Sequence, residues 1–234
     1  MKTEETNVGL SQSVFAAVTA HIRDNDLRTG DTLPSETEIA VAVGVSRTIV
    51  REAFGALSAL KLIDVGNGRR ARVGAIDGSI MALPLGHAVD TAQASVPQVW
   101  DARRALERRT AELAAMRRTS AEAQAIVEHA RAMRAAGDDL TRQVEHDIAF
   151  HAAIARASRN PVFALLIAAF SDLMRQTCPI GWRSRRTDEE RTTVFDQHDR
   201  IAQAIVDGQP VAAEREMNAH FDLSLRALAN SGFN

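Results

Sequence analysis

The stretch LPSETEIAVAVGVSRTIVREAFGAL, from Leu33 to Leu57, sets two short helical patterns on either side of a single glycine. Ile39, Ala40 and Val43 share one face of the first pattern, and Ser35 with Glu38 three residues on has the form of a capping box. After Gly44 the second pattern begins, with Ser46 placed to cap it and apolar residues at Val50, Ala53, Phe54 and Leu57. Arg47, Thr48 and Arg51 fall near the start of that second helix, on the side away from the apolar face. A helix that enters the major groove of DNA must bury one face and offer the other to base edges and phosphates. Arg47 and Arg51 are one turn apart, roughly 6 Å along a helix. Arginine's planar fork suits guanine O6 and N7, and a threonine contacts either a base or a phosphate.

The flanks extend this unit. Residues 8–27 read as an amphipathic helix with Val14, Val18 and Ile22 on one side, and Gly30 and Pro34 punctuate the chain before Ser35. LIDVGNGRRARVG reads as two short strands around Gly66-Asn67-Gly68. The order is helix, helix-turn-helix, hairpin. Net charge is −2 for the whole chain, which by itself predicts no nucleic-acid partner, yet residues 47–72 carry six basic residues (Arg47, Arg51, Lys61, Arg69, Arg70, Arg72) against Glu52 and Asp64. A merely solvated face on a small structural domain is the competing reading. The turn, the capped first helix and the basic, glycine-tipped hairpin agree in favouring DNA.

From about Ala75 the pattern becomes entirely helical, rich in Ala, Leu and Arg, with expected helices at 78–89, 97–117, 120–136, 139–157, 160–177, 188–207 and 210–229. The breaks fall at Pro97, Gly137, Asn160-Pro161, Pro179-Gly181 and Gly208-Pro210, and the tract 178–190 reads as a loop whose Arg183, Arg185 and Arg186 form either a solvated patch or a lid to a pocket. The expected fold is mainly α, an N-terminal DNA-reading unit over 1–75 and an all-α bundle of six to seven helices over 76–234. With 45% hydrophobic and 25% charged residues the composition is that of a soluble globular protein. Trp100, Trp182, Phe150, Phe163, Phe170 and Phe195 are expected in the core or a dimer interface. The one cysteine, Cys178, rules out an internal disulfide and reads as a small buried hydrophobe. The polar N-terminus is unlike a signal peptide, and no apolar run approaches the ~18 residues of a membrane span. The expected location is cytoplasmic.

The bundle's histidines carry the remaining signal. His151 follows Asp147 by four residues, so both project from one helix face, and His198 and His220 come from the last two helices. One carboxylate and three imidazoles make a workable shell for a divalent transition metal: zinc first, with nickel, manganese or iron as alternatives. Each feature alone is weak, since D-x-x-x-H arises often by chance. His146 points about a quarter-turn away from Asp147, and His129 and His87 have no evident partner. An ion here could sense a ligand, tie the bundle together or, as a metalloenzyme, activate water. No Glu-x-x-His pair, H-E-x-x-H, phosphate loop or nucleophile elbow supports catalysis.

LPSETEIA, GVSRTIVREAF and GNGRRARV, in that order, resemble the winged helix-turn-helix of GntR-type bacterial transcription regulators over residues 10–73. The resemblance implies that Arg47, Thr48 and Arg51 meet the major groove, with Ser46 heading their helix, Ser35 and Thr37 near phosphates, and Gly68 with Arg69 on the wing at the minor groove. Two departures stand out: Thr37 replaces a residue that is basic in many relatives, and GNGRRARV replaces the usual G-x-G-T-F-V. Residues 97–225 resemble the FCD effector domain of the FadR-like branch, through ARRALERRTAELAA, DIAFHAAIARASRN, HDRIAQAIVDG and AAEREMNAH. That family's metal ligands fall on Asp147, His151, His198 and His220. Arg103 matches the arginine of its R-x-x-L-E stretch and is either a clamp for an effector's carboxylate or an ion-pair partner of Glu107. The function so implied is a homodimeric regulator, a repressor, that binds double-stranded DNA at a near-palindromic operator and responds to a small carboxylate or sugar acid.

Overall fold

The computed structural model describes residues 2–66 and 68–232. Contacts divide the chain between Ile80 and Met81, slightly beyond the break expected at 75, and each unit has its own core.

The first unit contains α1 (Lys2–Asp24), α2 (Glu36–Val43), α3 (Arg47–Ala59), β1 (Ile63–Asp64) and β2 (Arg72–Val73). Ser35 caps α2 through the expected capping box, and Gly44 closes it at φ 74°, a left-handed conformation that a side chain disfavours. Ser46 caps α3 by accepting from the Ile49 amide. Such caps hold a helix end by about 1 kcal/mol, which matters for an α2 of two turns. Val50, Ala53, Phe54 and Leu57 of α3 pack with Ile39 and Ala40 of α2 and Val14 and Val18 of α1. The hairpin pairs Ile63 with Val73 and Asp64 with Arg72, antiparallel. Residues 30–33 run beside β2, with the Leu33 amide donating to the Ala71 carbonyl and the Val73 amide to the Asp31 carbonyl. Asn67, at the expected wing tip, lies outside the described residues.

The second unit is helical among the described residues: α4 (Ser79–Asp90), α5 (Val96–Arg117), α6 (Ser120–Ala135), α7 (Leu140–Ala157), α8 (Pro161–Ala169), α9 (Ser171–Ser184), α10 (Asp188–Val206) and α11 (Pro210–Asn230). α5 lies against α7, α10 and α11, and its Trp100, Ala111 and Ala114 meet Phe150, Ile154, Ile201, Met217 and Phe221 in one core. Two expectations need correction. The single helix expected at 160–177 is two, parting at Phe170, so the bundle has eight helices rather than six or seven. The loop expected at 178–190 is helical to Ser184: Pro179 sits inside α9, and only 185–187 connect it to α10. Tertiary packing overrides the Pro-Gly signal, because the Gly181 face of α9 is buried beside Ala227 and Leu228 of α11.

Candidate metal centre and nucleic-acid interface

In the N-terminal unit, the buried stripe of α3 leaves Arg47, Thr48 and Arg51 exposed on its opposite side. Thr37, Ser46, Gly68 and Arg69 are also exposed, and Ser35 is half-buried by its cap. The arginines are held by acids of the same unit. Arg51 donates to Glu36 at 3.1 Å and Arg47 lies 3.9 Å from the same carboxylate. Arg69 pairs with Asp64 at 2.7 Å and Arg70 with Glu38 at 3.3 Å. These are exposed pairs that a phosphate can displace.

The second unit brings all four expected metal ligands together. Asp147 and His151 descend from one face of α7, His198 comes from α10 and His220 from α11. One ligand atom from each lies within 4.8 Å of the others. Donors about 2.1 Å from a shared ion stand at most about 4.2 Å apart, so a small inward movement suffices. The three imidazoles are buried, and Phe150 and Phe221 pack edge-on against them.

Hydrogen bonds fix which nitrogen of each ring faces inward. His198 Nδ1 donates to the Val194 carbonyl at 2.8 Å, leaving Nε2 as the ring's acceptor, and that atom stands 3.0 Å from Asp147 Oδ1. Two acceptors so close call for a cation between them, either a proton or a metal. His151 Nδ1 bonds Glu107 Oε2, while its Nε2 is buried without a hydrogen-bond partner among the described residues. An orphaned inward nitrogen beside a carboxylate and two further imidazoles is what a borderline-soft divalent ion satisfies, so the residues fit the metal that the fold family implies.

The charges of Asp147 and His220 agree with that fit, whereas the charge of His151 calls for the ion to displace a proton. Burial works against ionisation of Asp147, but His151 and His198 outweigh it and hold its carboxyl well below the usual range. Burial, reinforced by His198 and His151, pushes His220 well below the ordinary histidine value. Burial also disfavours the charged form of His151, yet Glu107 overrides it and raises the pKa. An anionic Asp147 and a neutral His220 are the states that ligate a metal.

Glu107 is the functional residue that sequence reasoning missed. It figured there only as an ion-pair partner for Arg103, but it is buried and receives both Arg103 Nε and His151 Nδ1. The signal was present in RRALE: Arg103 and Glu107 fall on the helix face that also holds the buried Trp100 and Ala111. Arg103 is itself buried, engaged by Glu107 and Met174, with its guanidinium 5.3 Å from the Trp100 ring centre and 5.5 Å from that of Phe221. It stands behind the ligand ring and is not among the residues lining the adjoining cavity.

That cavity opens on Asp147 and His220 and is walled by Trp100, Gln143, Thr177, Cys178, Trp182, Arg185 and Ser224 among others. Its water-sized space is about 50 Å³; one water needs about 10–15 Å³ on such a measure, so a small molecule fits. Cys178 Sγ stands 3.9 Å from Asp147 Oδ2, and burial pushes the thiol's pKa up, which makes it a neutral wall rather than a nucleophile. His129, which had no evident partner in the sequence, lies beside His146 with ring centres 6.1 Å apart.

Comparison with known proteins is consistent with both halves. Residues 10–73 match the domain of bacterial regulatory proteins of the gntR family, and residues 98–223 match the FCD domain. The HTH-type transcriptional regulator LutR of Bacillus subtilis strain 168 is 32% identical over 203 residues, covering 85% of this chain and 92% of that one. The Glc operon transcriptional activator of Escherichia coli strain K12 is 28% identical, covering 90% and 85%. The solved structure of Streptococcus agalactiae GntR has the same fold, with a TM-score of 0.67 at 22% identity over 93% of this chain and 98% of that one. These relatives are regulators, which leaves the metalloenzyme reading without support, and among the described residues no helix is long and apolar enough to cross a membrane. Winged helix-turn-helix, FCD bundle and full-length relatives agree, and the chain belongs to the GntR family of bacterial DNA-binding transcription regulators, in the branch that carries an FCD effector domain.

Proposed function

We propose that this regulator is a homodimeric repressor whose bundle takes up one divalent transition-metal ion, zinc first among them, on Asp147, His151, His198 and His220, and senses a small carboxylate there. The observation that carries the reading is the inward, unpartnered Nε2 of His151 within a four-ligand cluster. When bound, the ion supplies a positive centre that attracts a carboxylate oxygen. The chain's own residues do the rest: Glu107 orients His151, the Val194 carbonyl orients His198, and the apolar wall excludes water. Arg103 belongs to this effector site through Glu107.

Residues 1–75 form the DNA-reading domain in this proposal, and 76–234 the effector and dimerisation domain. Arg47, Thr48 and Arg51 read the major groove, Ser35, Thr37 and Ser46 lie along the phosphates, and Gly68 and Arg69 approach the minor groove. Two-fold symmetry of the dimer calls for a near-palindromic operator. The effector acts by binding one dimer geometry better than another, and a coupling of ~1–3 kcal/mol changes operator affinity about five- to 150-fold.

The test is elemental analysis of protein purified without chelators, alongside the His198→Ala/His220→Ala double variant. The expected result is about one transition-metal ion per wild-type chain and none in the variant. Operator binding of metal-loaded wild type should then weaken on adding small carboxylic acids. Metal-free wild type, or operator affinity unchanged by every acid that binds, would overturn the sensing mechanism and leave the DNA reader standing.

A further inference from the structure

Two histidines of the bundle stand together outside the cluster of Asp147, His151, His198 and His220. His129 lies on α6 and His146 on α7, helices that pack side by side and are joined only by residues 136–139. His129 falls six residues before the end of α6 and His146 six after the start of α7, so the hairpin sets them level across its seam. Their ring centres are 6.1 Å apart, with the planes tilted by 41°. Both side chains are half-buried, and neither ring has a hydrogen-bond partner among the described residues. In this they differ from His151 and His198, which each spend one nitrogen on Glu107 or on the Val194 carbonyl.

Distance decides what such a pair can hold. Rings joined directly by an N–H···N hydrogen bond have centres no more than about 5.5 Å apart. Two imidazoles that share an ion at about 2.1 Å have centres roughly 5 Å apart at a tetrahedral angle and about 6.4 Å apart when in line. At 6.1 Å the pair is too wide for a direct bond and inside the span for an inserted cation, like the 5.9 Å between His151 and His198. The charged groups that bear on His129 are Arg156 and Glu128, one of each sign, so no excess of positive charge keeps a cation away from it. His146 precedes Asp147 directly but projects about 100° round the helix, and neither His129 nor His146 lines the cavity on which Asp147 and His220 open.

We propose that His129 and His146 form a second, weaker metal site, which takes a divalent late-transition ion, zinc first, between α6 and α7. With two protein ligands among the described residues, water fills the remaining positions. The buried four-residue cluster suits a resident ion; this half-buried pair exchanges with the medium and fills only when zinc is abundant. Its occupancy ties α6 to the helix that carries Asp147 and His151. The site needs neither the sensing role nor the four-ligand ion proposed above.

The experiment is calorimetric titration of untagged, metal-stripped, full-length protein with zinc, with thermal unfolding at each loading. Wild type is expected to show a weak step of one ion per chain, with Kd about 1–100 μM, separate from any tighter step. His129→Gln changes a helix that carries none of the four cluster residues. It should weaken that step by about ten-fold or more and leave a tighter step unchanged. His146→Gln should do the same, and the double variant should lose little beyond either single one, because one ion is shared. Wild-type Tm should rise further as the weak step fills, and that of His129→Gln should not. His21→Gln/His87→Gln removes the other histidines outside the cluster and should leave the step in place. A weak step that survives His129→Gln, or that disappears with His21 and His87, is adventitious zinc and overturns the proposal. So does a wild type with no step beyond a tight one. A wild type whose only step is the weak one, lost in His129→Gln, upholds this site and removes the four-ligand ion instead.

Discussion

The two units handle charge in opposite ways. In the DNA-reading unit Glu36, Glu38 and Asp64 hold Arg51 and Arg47, Arg70 and Arg69 in exposed pairs. In the bundle, Arg103, Glu107 and His151 form a chain of buried contacts that ends 3.6 Å from the half-buried Asp147. The first arrangement is exchangeable, since exposed pairs are worth only about 0–1 kcal/mol, and on the proposed reading each acid holds an arginine that a phosphate would draw away. The second is not. Arg103, Glu107 and His151 Nδ1 have fixed partners, and the end left without one among the described residues is His151 Nε2, beside the proposed metal site. On the proposed reading, a surface that grips a long polyanion is built from loose pairs, and a pocket that would hold one ion is built from fixed ones.

The largest expected effect is in the fixed set. Glu107→Ala leaves Arg103 as a buried cation without its acid and frees the His151 ring to turn. Breaking a buried pair from one side costs about 3–5 kcal/mol, so denaturant unfolding of the bundle should shift by that much, whereas Asp64→Ala on the wing should cost less than about 1 kcal/mol. Near-equal costs would dissolve the contrast. Next comes the ion. Adding zinc to metal-stripped wild type is expected to raise Tm in a concentration-dependent way, by about 2.7 kcal/mol of stabilisation at a hundred times Kd. His151→Ala should abolish that response while leaving operator binding by the other unit in place.

How much of this was legible in the sequence follows the same division. The helix-turn-helix could be read residue by residue, because Val50, Ala53, Phe54 and Leu57 mark one face, Ser35 and Ser46 cap as expected, and Gly44 occupies the break at which it was singled out. The cluster of Asp147, His151, His198 and His220, proposed to hold the metal, was legible through spacing and resemblance. Glu107 was not, since an Arg and a Glu one turn apart look alike whether the pair is solvated or buried, and only packing against Met174, Trp100 and His151 decides. The break at Phe170 was hidden because no glycine or proline marks it: PVFALLIAAFSDLM is continuously helix-compatible after its first residue. Conversely, Pro179 and Gly181 advertised a stop that packing on α11 overrides; Arg185, read in the sequence as part of a loop patch or a lid, instead caps α9 and lines the cavity. Local signals are dependable where an element is stabilised locally, and lose their force where burial is supplied by elements distant in sequence.

Within the exchangeable set the effects are smaller and graded. Arg51→Ala should weaken operator binding by about 1–3 kcal/mol and relax the base preference at its position. Arg69→Ala should weaken all sequences alike and lower the salt slope by about one. Gel-shift titrations over a range of salt separate the two, and equal salt slopes for both variants would place Arg51 on phosphate rather than on a base.

The smallest expected effect tests the idea of exchange most directly. Glu36 is shared by Arg47 and Arg51, and both arginine side chains are more than 60% exposed. On the proposed reading, in which those arginines meet DNA, the carboxylate is abandoned at least in part. Glu36→Gln removes the competitor while keeping size and hydrogen-bonding shape, so affinity for operator and for random DNA should both rise. The rise should be a few-fold at most, since exposed pairs are worth about 0–1 kcal/mol, and should shrink as salt screens the pair. Folding stability should change by less than about 0.5 kcal/mol. A fall in operator affinity, with random-DNA binding unchanged, would mean that Glu36 aims the arginines at their bases instead of merely storing them. The loose pairs of the first unit would then be no more exchangeable in function than the buried ones of the second.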